Sequence, residues 1–535
     1  MDNKDETTEV IQDDTESCNG TDALCKDKYQ SNERVNNKAR FGGYVIESLV
    51  IFCAALPSLN IGYAIGFSSP AARDFEVHET QLNLTTEQTT WFGSLLVLTA
   101  IAGSIACGVF MDKFGRKLSI LLQLLIYASG WVSISLSGSH LPLFIGRCLS
   151  GFAMGASYTA TPVYLVEVGP PFIRGSLGTL FNLFLAIGIL VAYAFGFHFR
   201  WRSLSHIGAI IASISFLLCL WIPESPSWLV KKGRREKARK SLRFLQGRRK
   251  SRKEITSEVD TIAESVLDHE TGMHLRDALE SNFIKPVTIL IFLNAFQHLS
   301  GINVIIFYAH SIFRMANFQN ESIPSVVVGG IQVFAFFVPL VLMDKWGRRK
   351  MAFISGIGAT LCHASLGVCM YMESFDLSAT LGDNTTSYNV SGPGIDEAVQ
   401  HPPVTAWLTL VSAILFIVFY TFGLGPIPFV VQAELMPLKT RGVGGGIASA
   451  TNCVTAFVMV KCFPSFVVLI HIYGVFWLLS GLSAAYVAFC WWCLPETMGR
   501  SRDELEHLFD LRYKVGAEKK KRSSKNGKNV SLTTV

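Results

Sequence analysis

Apolar residues gather into long blocks along this chain, separated by short polar stretches. Twelve such blocks can be drawn, at roughly 43–67, 91–111, 118–137, 141–164, 175–197, 203–222, 284–308, 323–343, 351–372, 404–429, 442–467 and 471–494. Each is about the twenty residues a helix needs to cross ~30 Å of hydrocarbon at 1.5 Å per residue. Six blocks lie on each side of a polar interval. The pattern predicts an all-α membrane protein of twelve transmembrane helices in two pseudo-symmetric six-helix lobes. Its expected parts are a disordered tail over 1–40, an N-terminal lobe over 41–223, cytosolic linker helices over 224–283, a C-terminal lobe over 284–495 and a tail over 496–535.

Charge sets the orientation. Between Lys231 and Lys253 the interval carries the run KKGRREKARKSLRFLQGRRKSRK, and Lys519-Lys520-Lys521-Arg522 sits in the tail. The stretch from Glu373 to Pro403, by contrast, has neither Lys nor Arg. The positive-inside rule therefore puts both termini and the central interval in the cytosol, against the minor exception of Arg200 and Arg202. Four sequons, at Asn83, Asn320, Asn384 and Asn389, fall in loops assigned outside. Asn384 and Asn389, in the longest of these loops, are the expected glycosylation sites. The central interval has helical composition at Arg235 to Phe244, Lys253 to Leu267 and Leu275 to Leu279.

Composition narrows the class further. Of 535 residues, 50% are hydrophobic and 16% charged, against roughly 25% charged in soluble domains, and the mean hydropathy is +0.36. The net charge of +6 comes from basic residues beside apolar blocks, which orient helices and do not call for nucleic acid. Ten of the twelve cysteines, from Cys53 to Cys493, lie in or beside apolar blocks and read as small packing residues. Cys490 and Cys493 have no further ligand in range, so no metal site is expected. No cofactor is expected, and no obligate protein partner is evident. The polar, acidic N-terminus does not have the form of a cleavable signal peptide. Glu6-Thr7-Thr8-Glu9-Val10-Ile11 is a degenerate form of an acidic dileucine sorting signal, so an endosomal or lysosomal membrane stands beside the plasma membrane as a location.

Three motifs recur in order in the two halves. Asp112-Lys113-Phe114-Gly115-Arg116-Lys117 returns as Asp344-Lys345-Trp346-Gly347-Arg348-Arg349-Lys350. Glu167 with Arg174-Gly175 matches Glu434 with Arg441-Gly442 at identical spacing, and Pro223-Glu224-Ser225 matches Pro495-Glu496-Thr497. A single copy would serve as a topology anchor. Two ordered copies point to paired cytosolic ion-pair locks, formed by Asp112, Arg116, Glu167 and Arg174 and by Asp344, Arg348, Glu434 and Arg441, that close in one state and break in another.

With Gly146-Arg147-x3-Gly151, Pro162-x-Tyr164, Gln297-His298-Leu299-Ser300-Gly301-Ile302-Asn303, Gly425-Pro426-Ile427-Pro428-Phe429 and Pro495-Glu496-Thr497-Met498-Gly499-Arg500-Ser501, the set resembles the sugar porter branch of the major facilitator superfamily. Within it, the likeness is to facilitative glucose transporters and trehalose facilitators, over about residues 42–510. The resemblance implies the major facilitator fold and a sugar site near the bilayer midplane between the lobes. By matching motifs, Gln297, His298, Asn303, Gln332 and Asn452 are the implied sugar contacts, Phe429 an apolar wall or gate, and Asn182 the contribution of the N-terminal lobe. Physical chemistry supports the amides independently. In an apolar segment Gln297 and Asn303 need partners, and amides donate and accept as sugar hydroxyls do. Six residues apart, the two would sit on opposite faces of a continuous helix, so a break is expected at Ser300-Gly301. Each amide could instead form an interhelical hydrogen bond.

The chain also departs from the glucose pattern at four cavity positions. Asn182 stands for glutamine, His298 for the second glutamine of the motif, Phe429 for tryptophan, and Cys453 for the tryptophan common after asparagine. Proton-coupled sugar porters carry an aspartate after the Gly-Tyr of the first segment, whereas Gly62-Tyr63 is followed here by Ala64 and Ile65. Arg147 then needs backbone carbonyls or hydroxyls as partners. The expectation is a uniporter for a hexose or a disaccharide such as trehalose, working by alternating access. A proton-coupled sugar or polyol symporter and a non-transporting sensor of the same fold are the alternatives. No nucleophile–base pair or phosphate-cradling loop speaks for an enzyme.

Overall fold

The computed structural model describes residues 23–77, 82, 84–170, 174–247, 250–267, 281–315, 322–382, 404–436 and 441–498. Ten helical stretches among them are long and apolar enough to cross a membrane. The last, Gly444–Cys493, is two helices joined at His471, whose φ of 57° and ψ of 164° interrupt the helical path. Beyond that bend the chain runs back along Arg348–Gly382. Tyr473 and Trp477 meet Tyr371 at one end, and Trp491 meets Phe353 at the other. A further helix, His140–Val168, packs against Thr86–Phe114 and Arg116–Ser135. Together these make twelve crossings, so this is a multi-pass membrane protein with the expected fold. Large apolar side chains that find no place inside, such as Val109, Leu136 and Phe334, point outward, where lipid solvates them.

Several crossings are assembled from pieces. Crossing 1 passes from Ala23–Gly66 into Ser68–Val77, crossing 7 from Ser281–Leu299 through Ile302–Phe307 to Ala309–Met315, and crossing 8 from Ser322–Ala335 to Phe337–Trp346. Crossing 10 combines Val404–Phe419, a π-helical turn at Tyr420–Leu424 and Ile427–Leu435. Irregular backbone at membrane depth survives only where protein or a cavity supplies hydrogen-bond partners. At crossing 10 that partner is Ser355. Its hydroxyl donates to the Phe419 carbonyl at 2.6 Å and accepts from the Leu424 amide at 2.9 Å.

The N-terminal boundary differs from the sequence expectation of a disordered tail through residue 40. Helix runs from Ala23 without interruption into the first crossing. Ala23 to Arg40 contains neither Gly nor Pro and is rich in residues that lose little rotamer freedom in a helix. Extending an existing helix also avoids the cost of nucleating one.

The central interval folds into Pro226–Lys231, Arg235–Gln246 and Arg252–Leu267. The first was not anticipated; the second and third were. The expected segment Leu275 to Leu279 lies outside the described residues. Trp228, Leu229, Val230, Ala238, Leu242, Ile255, Val259 and Ala263 form the bundle's own small core. It is tied to the N-terminal lobe through Trp228 Nε1, which donates to the Asp112 carbonyl at 3.1 Å, and Ser241 Oγ, which donates to the Glu224 carbonyl at 2.6 Å.

Candidate functional site

Crossing 7 breaks at the expected place. Gly301 adopts φ 84°, a left-handed conformation, between the helix that ends at Leu299 and the one that begins at Ile302. Only glycine takes it without strain, and a Cβ there would also lie 2.6 Å from Leu479. The break rotates the following turn, so that Gln297, His298 and Asn303 all line one cavity between the lobes. Asn182, Gln332, Phe429 and Asn452 line the same cavity, completing the set named from sequence. Ile65, Tyr158, Leu185, Ile189, Ile302, Ile306, Phe336 and Tyr420 supply the rest. No residue in this lining carries a carboxylate, an ammonium or a guanidinium.

The polar groups of the cavity are cross-braced. Gln297 donates through Nε2 to the Gly425 carbonyl at 2.8 Å and accepts through Oε1 from Asn452 Nδ2 at 2.7 Å. Asn452 Nδ2 also lies 3.2 Å from Asn294 Oδ1. Asn303 Nδ2 donates to His298 Nδ1 at 2.8 Å, and Asn182 Nδ2 donates to the Gly178 carbonyl of its own helix at 3.1 Å. The interhelical bonds weighed against ligand contact are therefore present for Gln297 and Asn452, and both side chains still face the cavity. An amide has two N–H groups and two lone-pair sites, so each keeps capacity for a ligand.

Sequence reasoning missed Tyr158 and Tyr420. Tyr420 sits at the start of the π-helical turn, a feature frequent at functional sites. The signal for it was the run Gly423-Leu424-Gly425-Pro426, which disrupts regular helix just after it. Phe429 and Phe181 face each other across the lobes with ring centroids 5.8 Å apart. The cavity holds about 40 Å³, a few water molecules, whereas pockets that hold drug-sized ligands reach about 300–1,000 Å³. In the described conformation the cavity is too small to hold a sugar.

Two charged clusters mark one face of the protein. Arg116 grips Glu167 with both prongs, Nε to Oε2 and Nη2 to Oε1, each at 3.0 Å, and Nη1 lies 3.4 Å from Asp112 Oδ1. Glu224 Oε1 accepts from the Arg116, Lys117 and Ser225 amides, while Ser225 Oγ donates to Glu167 Oε2 at 2.5 Å. The second lobe repeats the arrangement. Arg348 Nη2 meets Glu434 Oε1 at 2.7 Å, and Thr497 Oγ1 donates to Glu434 Oε2 at 2.5 Å. Glu496 accepts from the Arg348, Arg349, Thr497 and Met498 amides. Glu224 and Glu496 thus cap the N-termini of crossing 3 (Arg116–Ser135) and crossing 9 (Arg348–Gly382), a role the recurring Pro-Glu-[Ser/Thr] signalled only as a repeat. These bonds join elements of a single lobe in each case. The side chains of Arg174, Asp344 and Arg441, and the residues Asn384 and Asn389, lie outside what is described.

At the opposite face, hydrogen bonds cross between lobes. Ser69 Oγ and His310 Nδ1 are 2.6 Å apart, Arg73 Nη1 donates to Ser322 Oγ at 2.7 Å, and Tyr193 Oη donates to the Ile306 carbonyl at 2.5 Å. Lys461 Nζ lies 3.9 Å from the centroid of the Trp91 ring. Between the two faces, Arg147 is fully buried without a carboxylate among its described partners. It donates to the Phe92 carbonyl at 3.0 Å, the Ala64 carbonyl at 2.9 Å and the Ser68 hydroxyl, and it faces the rings of Phe67 and Phe92. These are the carbonyl and hydroxyl partners expected for it.

Residues 50–509 match the family model described as "Sugar (and other) transporter". The chain belongs to this sugar transporter family. Its relatives include the facilitated trehalose transporter Tret1 of Apis mellifera ligustica, 33% identical over 87% of this chain and 88% of that protein. Another is the solute carrier family 2 facilitated glucose transporter member 8 of Mus musculus, 35% identical over 87% of this chain and 94% of that protein. Among solved structures, the major facilitator superfamily proton:xylose symporter XylE bound to 6-bromo-6-deoxy-D-glucose matches with a TM-score of 0.72 and 22% identity, over 87% of this chain and 99% of that one. At that identity the likeness is one of fold. The family is one of transporters, and no enzymatic step is involved.

Proposed function

We propose that this sugar transporter carries a hexose, or a disaccharide such as trehalose, down its concentration gradient by alternating access, with Gln297, His298, Asn303, Gln332, Asn452, Asn182 and Phe429 forming its binding site. The observation that carries the reading is the convergence of these seven residues on one interlobe cavity whose lining has no charged group. Neutral amides, an imidazole and tyrosines suit hydroxyls that both donate and accept, while a buried charge would demand a counter-ion. Arg147 is satisfied by carbonyls and a hydroxyl, and Ala64 and Ile65, which follow Gly62-Tyr63 in crossing 1, offer it no carboxylate with which to exchange a proton. The substrate names of the trehalose and glucose facilitators related to it agree with this choice.

In this mechanism the cytosolic ion-pair clusters are locks. Asp112, Arg116, Glu167 and Arg174, with Asp344, Arg348, Glu434 and Arg441, hold the cytosolic helix ends together in one state and separate in the other. Both termini face the cytosol and the protein resides in the plasma membrane, with Asn384 and Asn389 glycosylated outside. The deciding experiment is a flux panel of hexoses, disaccharides and polyols in cells that lack sugar transport, with Gln297→Ala as control. Uptake of at least one sugar, reduced in the variant, is expected. Failure of every compound to move would overturn the reading.

A further inference from the structure

The cavity holds one polar atom unlike the rest. Among the described residues that line it, His298 Nε2 is the buried polar atom that completes no hydrogen bond. Asn452 lies near enough to act on the ring, yet it does not satisfy that nitrogen. The opposite nitrogen is engaged, since Asn303 Nδ2 donates to Nδ1 at 2.8 Å across the break in crossing 7. His298 and Asn303 are 8% and 7% exposed, so water does not compete freely for either.

A neutral imidazole carries one proton, and the nitrogen that accepts cannot also bear it. From this geometry we infer that Asn303 locks His298 as the Nε2–H tautomer, making residue 298 a donor-only contact that selects substrates presenting a hydrogen-bond acceptor at that point. The inference rests on the sugar reading above and adds a specificity rule to it. A glutamine, the residue expected here from the resemblance, offers N–H and C=O together and accepts either role of a hydroxyl. Histidine held in one tautomer offers a single role. A sugar oxygen that must accept here keeps its value even when it has no proton of its own. The locking residue, Asn303, is a positioning residue in this scheme, and its own amide oxygen remains for other contacts.

The pair also accounts for a feature of the backbone. His298 and Asn303 are five residues apart, and on an unbroken helix their side chains would diverge by 140°, at 100° per residue. The left-handed Gly301 lets the second residue turn back to the first. The same break that builds the cavity therefore fixes the ring that reads the ligand.

The test uses the purified full-length protein in liposomes and the best parent sugar from the flux panel. Competition with its monodeoxy and monodeoxyfluoro analogues is measured position by position, because fluorine accepts a hydrogen bond and cannot donate one. In the wild type, one position is expected where the deoxy analogue competes about tenfold more weakly than the parent, the loss of roughly one hydrogen bond, while the fluoro analogue retains most of its strength. His298→Ala is expected to abolish the difference between deoxy and fluoro at that position alone. His298→Gln is expected to restore the contact and to widen the advantage of the free hydroxyl over fluorine at that position, because the glutamine carbonyl can also accept the hydroxyl proton, a change that a general packing defect would not produce. Transport of the parent with no position at which residue 298 changes the deoxy-to-fluoro ratio would overturn the inference and leave the sugar reading standing. A fluoro analogue as weak as the deoxy one at the His298-dependent position would show that Nε2 accepts, and would overturn it as well. If no parent sugar moves, the sugar reading itself has failed.

Discussion

Arg116 and Glu167 lie 51 positions apart in sequence and meet in a two-pronged ion pair, with both contacts at 3.0 Å. The guanidinium is almost enclosed, at 8% exposure, so the pair is screened less than a surface salt bridge and its geometry carries weight. Since Glu167 also takes the Ser225 hydroxyl, one carboxylate joins crossing 3, crossing 4 (His140–Val168) and the central helices. The Arg348–Glu434–Thr497 contacts do the same for crossing 9, crossing 10 and the segment after Cys493.

Arg116→Lys is therefore expected to slow transport more than it weakens sugar binding. Lysine keeps the charge but loses the planar fork, and one lost charge-assisted bond corresponds to roughly 1.5–3 kcal/mol in a buried setting. Zero-trans flux set beside equilibrium binding of the parent sugar checks it. An equal loss in both would remove the lock from the mechanism.

Gly115 and Gly347 sit at the hinges of these clusters with φ of 108° and 84°. A Cβ would lie 2.3 Å from Glu224 Oε2 at Gly115 and 2.7 Å from Glu496 Oε2 at Gly347. Gly115→Ala and Gly347→Ala are each expected to lower stability by about 1–3 kcal/mol, while Gly108→Ala, with open space around it, changes little. Thermal unfolding in detergent separates the three.

Gln297→Ala leaves Asn452 and the Gly425 carbonyl without their closest partner. Such an orphaned buried group costs about 1–3 kcal/mol. A rise of roughly tenfold or more in the KM for the transported sugar is expected. Initial-rate uptake gives the number, and an unchanged KM would place Gln297 outside the site.

Because Arg147 is satisfied by Ala64, Phe92 and Ser68 and the cavity lining has no carboxylate, uptake into liposomes is expected to be independent of a proton gradient. Counterflow with and without a pH step reads this directly. Accumulation above equilibrium driven by the gradient would refute uniport.

Opposite the Arg116 and Arg348 clusters, the bond between Ser69 and His310 links the two lobes. Ser69→Ala is expected to shift the protein toward the state open on that side. With a cysteine introduced at Ile306, on the cavity wall, labelling by a membrane-impermeant thiol reagent is expected to speed up. A labelling rate that does not respond would show that the bond does not contribute to closure.

How much of this was legible without coordinates follows from the range over which each interaction acts. Span length, loop charge and internal repetition are local properties, so the twelve crossings and the two lobes could be read directly. The break at Gly301 was legible because a Ser-Gly step interrupts an apolar run between two amides that both need partners. The seven cavity residues were legible because polar side chains in membrane segments are costly, and because the motifs that hold them recur in a known family. What no local pattern contained was pairing across the fold. Tyr158 and Tyr420 look like ordinary aromatic residues until crossings 4 and 10 bring them to the same cavity. Glu224 and Glu496 are loop residues until the chain returns and places them on the amides of crossings 3 and 9. The small interlobe cavity, the interlobe bond between Ser69 and His310 and the unsatisfied His298 Nε2 belong to the tertiary structure alone. Sequence patterns set which residues must avoid lipid, while the packing of distant helices decides which of those residues meet and which nitrogen is left for a ligand.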